Sequence, residues 1–209
     1  KQLPEKADRE QFFAKHGLDT TRPLVSIFPG SRTIELRFLA NTFIKSAKQL
    51  QKKHPEIQFC ISHAPNLSDD IFDKYINGTD FKVIKGENQA LLSISDSLIL
   101  ASGTVALEAA LYQIPMIIGY KGPWILYLAY LMVRCIKKVS LPNIITGEDI
   151  VPELIQAKFN TENICYETEK NLYNKEYRIG FISALGKVKE KLSDKYSAEE
   201  AANEIIKTL

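Results

Sequence analysis

The sequence predicts an α/β fold: a doubly wound, mostly parallel, Rossmann-like sheet with a helical C-terminal tail. Three observations carry that expectation. Short apolar runs recur between residues 24 and 118. Amphipathic stretches separate them, at the spacing of βαβ units in a parallel sheet. From residue 148 onward only helix-like periodicity remains.

Residues 1–22 read as a lead-in containing a helix over 5–16, closed by Gly17 as helix C-termini commonly are. The first strand, 24–28, ends at Pro29-Gly30. In 33–52, Ile34, Leu36, Phe38, Leu39, Phe43, Ile44, Ala47 and Leu50 recur mostly three or four residues apart, which predicts an amphipathic helix. A second strand over 57–61 leads to a helix over 66–76, with Ser68 as its cap. A third strand, 81–84, stops at Lys85-Gly86. A short helix over 89–94, a strand over 97–100, a helix over 104–112 and a strand over 115–118 complete the alternation. Right-handed crossovers then put helices on both faces. The tail, 148–209, reads as helices over 149–156, 161–172, 175–193 and 197–209. The last opens with Ser197-Ala-Glu-Glu200, a capping-box form. Residues 1–209 are expected to form one domain.

Composition narrows the function. With 209 residues, 45% hydrophobic and 25% charged, the chain matches a soluble globular domain rather than a disordered one. A net charge of +2, from 27 basic and 25 acidic residues, argues against a dedicated nucleic-acid binder. Cys60, Cys135 and Cys165 form no CxxC pair, so reduced cysteines in a cytosolic protein are expected rather than a disulfide framework. The chain starts Lys1-Gln2-Leu3-Pro4 with no apolar leader, which reads as a mature or excised piece.

Two turns can hold an anion. Phe28-Pro29-Gly30-Ser31-Arg32 joins the first strand to the long helix. Strand ends at helix N-termini are where doubly wound proteins hold ligands, and free N–H groups there favour negative charge. Gly30 allows close backbone approach, Ser31 lies in the turn, and Arg32 adds a permanent cation. The alternative is an ordinary tight turn with a solvated arginine. The second turn, Ala101-Ser102-Gly103-Thr104, runs from a buried-type strand into a helix. Ser102, Gly103 and Thr104 can offer hydroxyls and N–H groups to a phosphate. Glu108, one helical turn beyond Thr104, can accept from the hydroxyls of a ribose. Its neighbours are apolar, and an isolated carboxylate is costly to bury without partners; otherwise it is an exposed helix-edge residue. There is no GxGxxG and no GxxxxGK[ST], which lowers nicotinamide enzymes and P-loop ATPases in rank.

Residues 123–133 carry no charge, yet fall short of the roughly 20 that span a bilayer. Lys121 precedes them; Arg134, Lys137 and Lys138 follow. Tryptophan and tyrosine with basic flanks suit a membrane interface, while a buried or subunit-contact helix fits equally well. The membrane-facing candidates are Trp124, Leu128 and Leu131. Asn143 reads as a turn residue and Gln156 as a helix-surface residue. His16, His54 and His63 show no metal spacing, and Asp69-Asp70 is adjacent rather than Asp-x-Asp, so no metal and no cofactor are expected.

The string Phe-Pro-Gly-Ser-Arg-x-x-Glu at 28–35 resembles the C-terminal domain of the lipid-A-disaccharide synthase family. So do Ala-Ser-Gly-Thr-x-x-Leu-Glu-Ala-Ala-Leu at 101–111, Pro115-Met-Ile-Ile-Gly-Tyr-Lys121, Ser140-Leu-Pro-Asn-Ile-Ile145 and Val151-Pro-Glu-Leu-Ile-Gln156, in the same order. The resemblance implies the UDP-binding half of a two-domain GT-B glycosyltransferase, inverting and metal-independent. It implies transfer of 2,3-diacylglucosamine from its UDP form to 2,3-diacylglucosamine 1-phosphate, giving the lipid A disaccharide phosphate and UDP. It assigns Arg32 to the diphosphate as the catalytic cation, Ser102, Gly103 and Thr104 to the phosphates, and Glu108 to the ribose. Asn143 and Gln156 match positions near the nucleotide, across a subunit contact if the chain is a homodimer. Acylated substrates imply work at the cytoplasmic face of the inner membrane. The acceptor-binding half, with its general base, is expected to be absent from these residues; His63, Glu87 and Asp96 are the titratable groups nearest the strand ends. The alternatives are another GT-B UDP-sugar transferase or epimerase, and a non-catalytic nucleotide-binding module.

Overall fold

The structure, a computed structural model, describes residues 5–122 and 138–193. Its strands are β1 (Leu24–Phe28), β2 (Gln58–His63), β3 (Lys82–Lys85), β4 (Ser97–Ala101), β5 (Met116–Tyr120) and β6 (Glu153–Ile155). They form one sheet in the order β3-β2-β1-β4-β5-β6. Every neighbouring pair is parallel. The doubly wound expectation therefore holds: the chain starts at the centre, winds out to β3, returns beside β1 and winds out to β6.

Among the described residues the helices are α1 (Arg9–His16), α2 (Thr33–Lys53), α3 (Asp73–Ile76), α4 (Asn88–Ile94), α5 (Val105–Leu111), α6 (Leu141–Thr146), α7 (Thr161–Tyr173) and α8 (Lys175–Ser193). Strand side chains alternate between the two faces, so the sheet carries two cores. Val25, Ile27, Phe59, Ile61, Ile99 and Ile117 pack beneath α2 and α7, with Leu39, Phe43 and Ile164 as partners. Leu24, Phe28, Leu98, Leu100, Met116 and Ile118 pack beneath α1, α4, α5 and α8, meeting Phe13, Leu91, Ala109 and Leu185. Burial explains why the strands read as continuous apolar runs rather than alternating ones.

Local differences from expectation have local causes. The expected helix over 149–156 is instead strand β6 followed by a 3-10 turn, Gln156–Lys158. Pro152 cannot donate a backbone hydrogen bond, which suits an edge strand and not a helix interior. Its carbonyl accepts from the Ile118 N–H at 2.9 Å, starting the β5–β6 pairing. The expected helix over 66–76 shrinks to α3, because 64–73 folds as successive turns; the Ser68 hydroxyl bonds Asp70 instead of capping. The lead-in helix starts only after Asp8, whose side chain accepts the Gln11 N–H at 3.1 Å, and it ends as expected on Gly17 at φ 64. Helix α6, not anticipated, begins with Pro142 in its first turn, where a missing N–H costs nothing. The region 197–209 and the interfacial candidates Trp124, Leu128 and Leu131 lie outside the described residues.

Candidate functional site

In a sheet of this order the chain leaves β1 toward β2 and leaves β4 toward β5. The two connections diverge and open a crevice between the carboxyl ends of β1 and β4, the switch point where such sheets bind ligands. A cavity of about 460 Å³ lies there. Its lining brings together Gly30, Ser31 and Arg32 from the first turn and Ser102, Gly103, Thr104 and Glu108 from the second.

The first turn differs chemically from expectation. Its Ser31 and Arg32 N–H groups are not free for an outside anion. Glu35, in the first turn of α2, folds back so that one carboxylate oxygen, Oε2, accepts from the Ser31 N–H at 2.9 Å and the Arg32 N–H at 3.3 Å. Gly30 sits at φ 109, and a Cβ there would come within 2.2 Å of that oxygen. The close approach that Gly30 permits is thus made by the protein's own carboxylate. The Arg32 side chain remains 76% exposed, with Nη1 at 3.5 Å from Glu35 Oε1. A surface pair of that length contributes little, so the guanidinium is available to a ligand.

In the second turn, the Ser102 N–H donates to Gly119 O at 3.3 Å and its hydroxyl to Val139 O at 3.3 Å. Ser102 therefore ties α5 to the loop before α6. Gly103 and Thr104 are exposed, and the Thr104 side chain makes no cap bond. In the first turn of α5 the Ala106 and Leu107 N–H groups donate to Gly103 O at 3.3 Å and Thr104 O at 3.0 Å, so what the turn presents to the cavity is Gly103 and Thr104 themselves. Glu108 lines the cavity half-buried. Burial, and then the charge of Glu108, raises the Tyr112 hydroxyl above the ordinary tyrosine range.

Sequence reasoning missed the opposite wall. Glu35, Ser62, Asn88 and Leu92 also line the cavity, with the Ser62 hydroxyl donating to Asn88 Oδ1 at 2.9 Å. Ser62 belongs to the site because β2 neighbours β1, which strand order reveals and local pattern does not. For Glu35 a signal existed: it ends the first motif.

Asn143 and Gln156 fall elsewhere. Asn143 is 1% exposed in α6, not in a turn. Its Nδ2 donates to Val151 O at 2.9 Å and Glu153 Oε1 at 2.8 Å, and its Oδ1 accepts the Val151 N–H at 2.9 Å. Gln156 is buried, not on a helix surface, with φ 50. Its amide bonds both backbone groups of Gly122, at 3.2 and 3.4 Å. Glu153, unremarked in the sequence, is the hub: its carboxylate accepts from Val139 N–H, Ser140 N–H, the Ser140 hydroxyl and Asn143.

The three titratable groups near strand ends are engaged. His63 is 3% exposed, its Nε2 at 3.1 Å from Ser68 O. Glu87 pairs with Lys15 at 2.9 Å and His16 at 3.2 Å, and the Lys15 hydrogen bond leads in holding it below the ordinary carboxylate range. Asp96 lies at the opposite end of the sheet, bound to Arg9 at 2.7 Å and to the Leu24 N–H at 2.8 Å. Burial pushes the Cys60 thiol up to about 12 and the Cys165 thiol up to about 11, so neither is a nucleophile at neutral pH. Among the described residues no helix is long and apolar enough to cross a membrane.

Known proteins share both pattern and fold. A family model described as lipid-A-disaccharide synthetase matches residues 1–206. The lipid-A-disaccharide synthase of Anaeromyxobacter dehalogenans is 31% identical over 206 residues, covering 97% of this chain and 54% of that protein. The chain thus spans about half the length of the curated relatives it matches. The solved ADP-heptose lps heptosyltransferase II of E. coli superposes with TM-score 0.58 at 12% identity, covering 80% of this chain and 51% of that one. The UDP-GlcNAc 2-epimerase of Neisseria meningitidis, solved with UDP-GlcNAc, gives TM-score 0.58 at 18% identity, covering 90% of this chain and 49% of that one. At such identities the structures speak to the fold alone.

Proposed function

The chain belongs to the lipid-A-disaccharide synthase family, and on that premise we propose that it is the donor-binding part of a glycosyltransferase of lipid A biosynthesis. The observation that carries this reading is the meeting, in one switch-point cavity, of an exposed guanidinium, an exposed Gly103-Thr104 turn and a carboxylate. A volume of about 460 Å³ suits a small-molecule ligand. Arg32 takes the diphosphate, where negative charge grows as UDP leaves. Gly103 and Thr104 cradle a phosphate, and Glu108 accepts from the ribose hydroxyls. Ser102, Asn143 and Gln156 act by holding the surrounding loops. The donor is UDP-2,3-diacylglucosamine and the acceptor 2,3-diacylglucosamine 1-phosphate. Transfer inverts the sugar and uses no metal. Acylated substrates put the work at the cytoplasmic face of the inner membrane, with Trp124, Leu128 and Leu131 as the residues to meet lipid and a second copy of the chain as a further partner.

Titration with UDP tests the site. Replacing Arg32 by alanine removes a charged hydrogen bond of about 1.5–3 kcal/mol, so UDP affinity should fall roughly 10- to 150-fold. Glu108→Gln should cost more affinity for UDP than for its 2′,3′-dideoxyribose analogue, which offers no hydroxyls. Equal losses for both ligands would make Glu108 a structural residue, and unchanged UDP affinity in folded R32A would remove Arg32 from the site.

A further inference from the structure

The last residue of Phe-Pro-Gly-Ser-Arg-x-x-Glu has no part in the donor contacts described so far. We propose that Glu35 is the positioning residue of the donor site, fixing the turn that carries Arg32 and keeping the diphosphate off the N-terminus of α2. This rests on the reading that the cavity takes a nucleoside diphosphate.

Three observations support it. A single oxygen, Glu35 Oε2, takes the N–H groups of Ser31 and Arg32, at 2.9 and 3.3 Å. Gly30 leaves room for that oxygen and for nothing larger than hydrogen on its own Cα, since a Cβ would lie within 2.2 Å of it. From the other side, Asn66 Nδ2 donates to Ser31 O at 2.6 Å. The peptide groups around Ser31 are therefore held from both directions, while the Arg32 side chain stays 76% exposed, with only a long contact of 3.5 Å to Glu35 Oε1. The backbone of Arg32 is fixed and its guanidinium can swing into the cavity from a defined root.

The charge has a second effect. A phosphate seated on the Ser31 and Arg32 N–H groups would compete with a tethered carboxylate for the same donors and be repelled by it. The diphosphate is thereby confined to the guanidinium and the Gly103–Thr104 turn across the cavity. Glu35 touches no substrate in this scheme; it acts through Arg32.

The test uses the full chain and three probes: UDP, inorganic pyrophosphate and uridine, titrated by ligand-observed NMR. Glu35→Ala should weaken UDP and pyrophosphate by about tenfold, the scale of one charge-assisted hydrogen bond misplaced, and leave uridine unchanged. Glu35→Gln should recover much of the loss, because one amide oxygen can accept from both N–H groups; it also serves if the alanine variant fails to fold. In an R32A background, Glu35→Ala should add little further loss, as expected of a residue acting through Arg32. Tighter pyrophosphate binding by Glu35→Ala would overturn the positioning role and leave only the exclusion of the anion from the Ser31 and Arg32 N–H groups. Equal weakening of uridine, or full additivity with R32A, would reduce it to a fold residue. Failure of the unaltered chain to bind UDP would sink the donor-site reading rather than this one.

Discussion

Assayed on its own, the 209-residue chain should bind UDP yet form no disaccharide at a measurable rate. An inverting transfer needs a group to take the proton of the attacking hydroxyl, and positioned bases contribute typically 10²–10⁴-fold. The cavity offers two carboxylates. Glu35 is occupied by the Ser31 and Arg32 N–H groups, and Glu108 is assigned to the ribose. His63, Glu87 and Asp96 are bound elsewhere. Holding the acceptor against the donor is a larger contribution still, about 7–11 kcal/mol of barrier, and under the proposed function both turns lining this cavity serve the donor. The measurement is release of UDP from UDP-2,3-diacylglucosamine with and without acceptor lipid. Acceptor-dependent turnover by these residues alone would refute the division of labour.

Glu153→Ala should be the most destabilising single change near the site. Its carboxylate accepts four hydrogen bonds, three of them at Val139 and Ser140. Removing it leaves two backbone N–H groups without an acceptor in a half-buried setting. The Ser140 hydroxyl can turn away, and Asn143 keeps Val151 O at 2.9 Å. Stranded donors cost about 1–3 kcal/mol each, so a loss of about 2–6 kcal/mol is expected for the two. In a chain of this size that lowers the melting temperature by roughly 4–24 °C. Glu153→Gln, which keeps one acceptor oxygen, should lose less. UDP affinity should fall as well, because Val139 O receives the Ser102 hydroxyl at the cavity wall. An unaltered melting curve would show that water replaces the carboxylate without penalty.

Much of this was legible from the residues, for identifiable reasons. β1, β4 and β5 are buried on both faces, so apolar runs such as Leu24-Val25-Ser26-Ile27-Phe28 stood out. The long helix α2 announced itself by its periodicity, and both turns of the cavity were found because each follows such a strand. β6 was misread as helix because three residues are too few to show a period of two. The roles of Glu35, Glu153 and Gln156 were hidden for another reason. Each is a polar side chain serving backbone groups, and the partners are fixed by how loops fold, not by spacing. Glu153 reaches back thirteen residues to Ser140 and Gln156 reaches back thirty-four to Gly122. Asn143 looked like a turn residue by composition, and only burial beside Val151 and Glu153 makes it a clip.

Those clips give the fold a seam. Gly122 is fastened to Gln156, Lys138 to Asp149, and Val139 and Ser140 to Glu153. Gly122 and residues 138–140 are thus fastened to one short run, 149–156, which also sends Val151 and Leu154 into the two cores. One short run therefore acts as a common rivet: whatever loosens Glu153 or Gln156 releases a segment well upstream along with its own surroundings. The cavity wall would feel such a loosening, because the carbonyl of Val139, held in that rivet, is what receives the Ser102 hydroxyl.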